Sequence, residues 1–103
     1  MYHMEKIKII GMKEINEDEL VIVNGLAAEY YKKIQRMIKN ITLITIHVKT
    51  HDKTGERKRY EIRLKVIAPT KTFDAESSEW DIAKAIHIVF KEMQKIIEHR
   101  FHD

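Results

Sequence analysis

The chain has no cysteine, and only one proline and three glycines among its 103 residues. Without cysteine there are no disulfides, no thiolate zinc sites and no cysteine nucleophiles, which fits a reducing compartment. No apolar run approaches the roughly 20 residues that a membrane-spanning helix needs, and the N-terminus has no signal-peptide core. The expected location is therefore the cytoplasm. The sequence also has no G-x-S-x-G, no P-loop and no G-x-G-x-x-G. Asp74, Glu76, Glu79 and Asp81 cluster in sequence, but helix capping accounts for Glu79 and Asp81. The reading is of a protein that is not an enzyme, with no cofactor and no small-molecule substrate.

Hydrophobic residues make up 44% of the chain and charged residues 34%, an ordinary globular balance. A chain of this length buries roughly two thirds of its unfolded surface, enough for one core. Residues 1–103 are accordingly read as a single domain. The formal net charge is +3 and the isoelectric point about 9.1. So small a bias says little by itself, and what matters is where the cations sit.

Hydrophobic periodicity supplies the elements. Lys6 to Ile10 alternates as a strand ending near Gly11. Asn16, with Glu19 three residues on, forms an N-cap pair. From Leu20 the apolar positions Val23, Ala27, Tyr30, Tyr31, Ile34, Met37 or Ile38, and Ile41 follow a helical period. Val21-Ile22-Val23 and Gly25 weaken its start, so the helix begins at Asn16 or only near Asn24; one long helix, irregular at Gly25, is preferred. Thr42 to Lys49 alternates as a second strand, and His51 to Glu56 has turn chemistry, with Gly55 available for a positive φ. Arg59 to Ile67 returns with Ile62, Leu64 and Val66 inward and Glu61, Arg63 and Lys65 outward. After the Pro69 turn, Thr72 to Ala75 is a short strand. Ser78 with Asp81 reads as a capping box for a last helix that buries Ile82, Ala85, Ile86, Val89, Phe90, Met93 and Ile97. The expected fold is α+β, in the order β-α-β-β-β-α. Its sheet is mostly antiparallel with three or four strands, and both helices cover one face.

The candidate chemistry is cationic. Lys32, Lys33, Arg36 and Lys39 lie on or beside the polar stripe of the first helix. Lys84, Lys91 and Lys95 recur at helical spacing on the second, and Lys49, Arg59, Arg63 and Lys65 point outward from the sheet. Several cations held on rigid elements are what phosphate binding needs, because their counterions are then released together. The plain alternative is a solvated surface in which Glu29, Glu61 and Glu92 break up the field. His99 and His102 are three apart, but a metal site needs further ligands, so no metal is expected. Trp80, Tyr30, Tyr31 and Phe73 are expected in the core rather than as stacking platforms.

The C-terminal half resembles the ribosome hibernation-promoting factors, also called ribosome-associated inhibitor or light-repressed proteins. The resemblance is carried by Phe73-Asp74-Ala75-Glu76, by Asp81-Ile82-Ala83-Lys84-Ala85-Ile86, and by Phe90-Lys91-Glu92-Met93-Gln94-Lys95. Tyr31-Lys32-Lys33-Ile34-Gln35-Arg36 adds a second match on the first helix. The chain departs from the family pattern at Ala83, Glu92 and Ile96. The resemblance implies a short-form factor without a dimerisation domain. Such a factor occupies the decoding channel of the small ribosomal subunit and stops initiation in non-growing cells, with Lys33, Arg36, Lys91 and Lys95 on rRNA phosphates. Two rivals remain. One is a generic double-stranded RNA-binding domain, against which the acidic start of the last helix counts. The other is a protein-interaction module, or homodimer, joined through the open sheet face, where Leu43 and Ile67 add an apolar patch.

Overall fold

The computed structural model describes residues 6–54 and 57–102. The elements run β1 (Ile7–Ile10), a 3₁₀ turn (Met12–Glu14), α1 (Glu17–Met37), β2 (Leu43–Thr54), β3 (Arg57–Ile67), β4 (Thr72–Glu79) and α2 (Ile82–His102). The order is the expected β-α-β-β-β-α, and the sheet has four strands in the sequence β1-β2-β3-β4. β1 runs parallel to β2, while β2–β3 and β3–β4 are antiparallel. Parallel neighbours need a crossover connection, and α1 provides it.

Period-two alternation decides which face is covered. Ile7 and Ile9 pair with Ile44 and Ile46; Ile46 and Val48 pair with Leu64 and Ile62; Val66 pairs with Phe73. All of these point to one side. There they join Val23, Ala27, Tyr30, Ile34 and Ile38 of α1 and Ile82, Ile86, Val89, Phe90, Met93 and Ile97 of α2 in a single core. Full burial of one such side chain contributes about 1.5–3 kcal/mol. The opposite face of the sheet stays open. Among the described residues, no helix is long and apolar enough to cross a membrane.

The start of α1 is fixed at Asn16. Its side chain accepts from Glu19 N at 2.8 Å, and Glu19 Oε1 accepts from Asn16 N at 3.0 Å. Glu19 also accepts a hydrogen bond from the Tyr60 hydroxyl on β3, and Lys58 Nζ lies 3.9 Å from it. The cap is thus anchored to the sheet, which explains why the β-branched residues at 21–23 do not delay the helix. Val23 is fully buried, whereas Val21 is 70% exposed. Gly25 lies within an uninterrupted α1, with open space around the position of an added Cβ. Gly11 differs. Its φ is +89°, and a Cβ there would fall 2.2 Å from the Val48 carbonyl oxygen.

The structure moves three boundaries. Residues His51 to Thr54, read as a turn, continue β2, with a register shift between His51 and Thr54; Gly55 and Glu56 lie outside the described residues. β4 runs on to Glu79, and Ser77 and Ser78 pair with Ile62 and Glu61. Ser78 is therefore a strand residue and caps nothing. The cap of α2 is Asp81, whose Oδ2 accepts from Lys84 N at 2.8 Å and whose carbonyl accepts from Ala85 N at 3.0 Å. Ser77 Oγ donates to the Ala85 carbonyl at 2.8 Å and ties the strand end to the first turn. Trp80 leaves the core and is 40% exposed; the Arg57 guanidinium lies over its ring at 5.0 Å.

Urea unfolding of four single variants tests this geometry. Gly25→Ala stabilises by about 0.5–1 kcal/mol, because alanine is the better helix former at an open position. Gly11→Ala destabilises by roughly 2–3 kcal/mol through its positive φ and the overlap with Val48. Asp81→Ala costs about 1 kcal/mol as a lost N-cap, whereas Ser78→Ala stays within about 0.5 kcal/mol.

Candidate nucleic-acid interface

α1 and α2 lie side by side and run parallel. Tyr30 of α1 meets both His87 and Phe90 of α2, and one turn further on the helices share a groove lined by Lys33, Arg36, Met37, Lys91, Gln94, Lys95 and Glu98. Its volume is about 620 Å³. The sequence produces this by period. Lys33 and Arg36–Met37 follow Tyr30 at helical spacing, as Lys91, Gln94–Lys95 and Glu98 follow His87, so both rows stand over the same seam.

The electrostatics of this groove are simple. Lys33, Arg36, Lys91 and Lys95 are all exposed. Among the described residues none of them forms an ion pair, and Glu98 is the one carboxylate in the lining. The Lys33 ammonium lies 5.1 Å from the centre of the Tyr30 ring, a cation–π contact that holds it over the seam. Arg36 stands in the last turn of α1, where the negative end of the helix dipole favours a cation. Burial, with Glu29 adding a smaller effect, pushes the Tyr30 hydroxyl above the usual phenol range. It therefore stays a neutral donor.

The other basic residues singled out in the sequence lie elsewhere. Lys32 is exposed on α1 outside the groove lining. Lys39 follows the end of α1 and lines a separate hollow with Pro69 and Lys71. Lys84 Nζ is 3.7 Å from Glu79 Oε1. Arg63 and Lys65 point to the open sheet face, away from both helices, and each has a carboxylate. Arg63 Nε donates to Glu61 at 3.2 Å, and Lys65 Nζ is 3.9 Å from Asp74. Glu61 also pairs with His51 at 2.7 Å. The His51 hydrogen bond, with Arg63 adding to it, holds the Glu61 carboxyl below the usual carboxylate range. Arg63 and Lys65 line a second hollow of about 660 Å³, together with His47, Asp74 and Glu76. Among the described residues no three His, Asp or Glu side chains are grouped to hold a metal ion; the side chain of His102 lies outside the described residues.

Sequence reasoning missed the Tyr30–His87 contact at the head of the groove and the placement of Glu98 within it. The signal for the first was present: His87 precedes Lys91 by four residues and so shares its face. The element order makes the helices parallel; the register at which they face each other was not legible from spacing.

No family model matches the sequence, and no curated protein does either. Solved structures share its fold. A ribosomal subunit interface protein from Coxiella burnetii superposes with a TM-score of 0.71 over 95% of this chain and 99% of its own, at 16% identity. The N-terminal domain of Thermus thermophilus Protein Y superposes with a TM-score of 0.56 over 98% of this chain and 100% of its own, at 17% identity. At these identities the likeness is one of fold: the four-stranded α+β architecture with paired helices is the one these proteins have.

Proposed function

We propose that the protein is a ribosome-associated factor that binds small-subunit rRNA across the decoding channel and halts translation by occupying it, in the cytoplasm of non-growing, stressed cells. The observation that carries this reading is the groove between the helices, where Lys33, Arg36, Lys91 and Lys95 converge on rigid elements with no carboxylate partner among the described residues. The fold it shares with a ribosomal subunit interface protein supports the same partner. So does the resemblance of its helix sequences to the hibernation factors.

The physics asked of the groove is modest. Structured RNA is read mainly through its shape and its backbone. A shallow concave surface with several fixed cations meets that need, because each cation that neutralises a phosphate releases a counterion. Binding of this kind needs no catalytic group. The carried-over contacts are Lys33 and Arg36 from α1 and Lys91 and Lys95 from α2. Arg63, Lys65 and Lys84 already have carboxylate neighbours, so in this reading their contribution is secondary.

The test is co-sedimentation with purified small ribosomal subunits across a salt series. Affinity falls steeply as salt rises. The double variant Lys33→Glu/Lys91→Glu binds weaker by on the order of a hundredfold at low salt, each lost charged contact being worth at least about 1.5 kcal/mol. Arg63→Glu/Lys65→Glu weakens binding far less. Undiminished sedimentation of the helix variant rejects the groove as the binding surface.

A further inference from the structure

The head of the groove holds a group with no part in the charge argument. His87 is exposed on α2, one turn before Lys91. Its Nδ1 lies 2.7 Å from the Tyr30 hydroxyl, and the two rings meet edge to face with centroids 5.6 Å apart. Tyr30 is 4% exposed, and its ring is stacked on Phe90. The hydroxyl is part-buried, and His87 is its hydrogen-bond partner among the described residues. A buried hydroxyl proton without an acceptor is costly. Tyr30 accordingly donates and His87 Nδ1 accepts. A neutral imidazole that accepts at Nδ1 carries its own proton at Nε2. That nitrogen has no protein partner among the described residues.

We infer that His87 is a recognition residue of the groove: Tyr30 fixes its tautomer, so that Nε2–H is a directed, uncharged donor to an RNA phosphate oxygen beside the one bound by Lys91. This deepens the rRNA-binding reading and rests on it. The geometry that favours it is the spacing. His87 and Lys91 are four apart on one helix face, so their side chains are neighbours one turn apart. Phosphates are contacted by neutral N–H donors as well as by cations, and such contacts set register on the nucleic acid. A pre-set tautomer also removes the dilution of the competent form that a freely exchanging imidazole carries.

The measurements are sedimentation with small ribosomal subunits over a salt series, and nitrogen NMR of the imidazole in the full chain. The free protein shows the Nε2–H tautomer; an Nδ1–H signal overturns the inference whatever RNA does. His87→Ala binds about tenfold weaker with an unchanged salt slope, because no charge is removed. Lys91→Gln instead lowers that slope by about one. His87→Gln, which keeps an N–H donor, recovers most of the affinity. Tyr30→Phe keeps the stacked ring, lets the minor Nδ1–H tautomer populate and weakens binding by less than about twofold. If His87→Ala binds like the wild type while Lys91→Gln does not, the inference fails and the groove reading stands. If the wild-type protein does not sediment with subunits at any salt, both fail. A His87→Ala loss accompanied by a lowered melting temperature and no rescue by glutamine marks a packing role and also overturns it.

Discussion

The stack of Tyr30 on Phe90, with ring centroids 4.8 Å apart and planes within 4°, is the contact on which the arrangement of the groove depends. It stands where α1 and α2 meet above the sheet, and both rings belong to the core. Offset aromatic pairs of this kind contribute about 0.5–1.5 kcal/mol beyond their buried area. Their larger effect is geometric. Lys33 and Arg36 follow Tyr30 by three and six positions, and Lys91 and Lys95 follow Phe90 by one and five, so a fixed register at Tyr30 and Phe90 is also a fixed register for these four cations. The cations are arranged by an apolar contact that none of them makes.

That register has a second source at the other end of α1. Glu19 completes the cap of the helix and accepts from Tyr60, and Glu14 in the preceding turn accepts from Thr50 Oγ1 at 2.9 Å and from its backbone N. The Thr50 side-chain bond, then the backbone one, lower the Glu14 carboxyl from its ordinary value. The N-terminal turn of α1 is thus pinned to β2 and β3 by carboxylates, while its C-terminal half is held by rings. α1 is therefore held at its start and again past its midpoint. Shape recognition of folded RNA depends on such rigidity, since a mobile array would lose entropy on ordering with every contact it made.

The sheet and both helices were legible because their periods are clean. Ile44-Ile46-Val48 and Ile62-Leu64-Val66 alternate without a break, and Ala85-Ile86-Val89-Phe90-Met93-Ile97 repeats at helical spacing. The boundaries were less legible, for a consistent reason. His51 to Thr54 and Ser77 to Glu79 are composed like turns and caps, but each lies opposite a long partner strand, and ladder hydrogen bonds to β3 override local preference. Trp80 was placed in the core by its apolar character, and its Arg57 partner, more than twenty residues away, was not visible from spacing. The cations were visible one by one. Their division into a bare groove, a carboxylate-paired sheet face and a capped helix start was not, because it depends on how the helices are set against each other and against the sheet.

Net charge is a poor guide to such a surface. The chain has 19 basic against 16 acidic residues, which suggests a nearly balanced exterior. The structure instead assigns many of its carboxylates to internal duties. Glu19 serves the cap and Tyr60, Glu14 holds Thr50, Glu61 answers His51 and Arg63, Asp74 answers Lys65, and Glu79 answers Lys84. Of these, Glu61 and Asp74 lie on the open sheet face, on the other side of the sheet from the helices. At physiological salt the Debye length is about 8 Å, so charges on that far face contribute little to the potential over the groove. A polyanion approaching the helices meets four cations and one carboxylate there, whereas one approaching the sheet meets pairs. The contrast between the two faces is set by where the acids are used, not by how many lysines the chain carries.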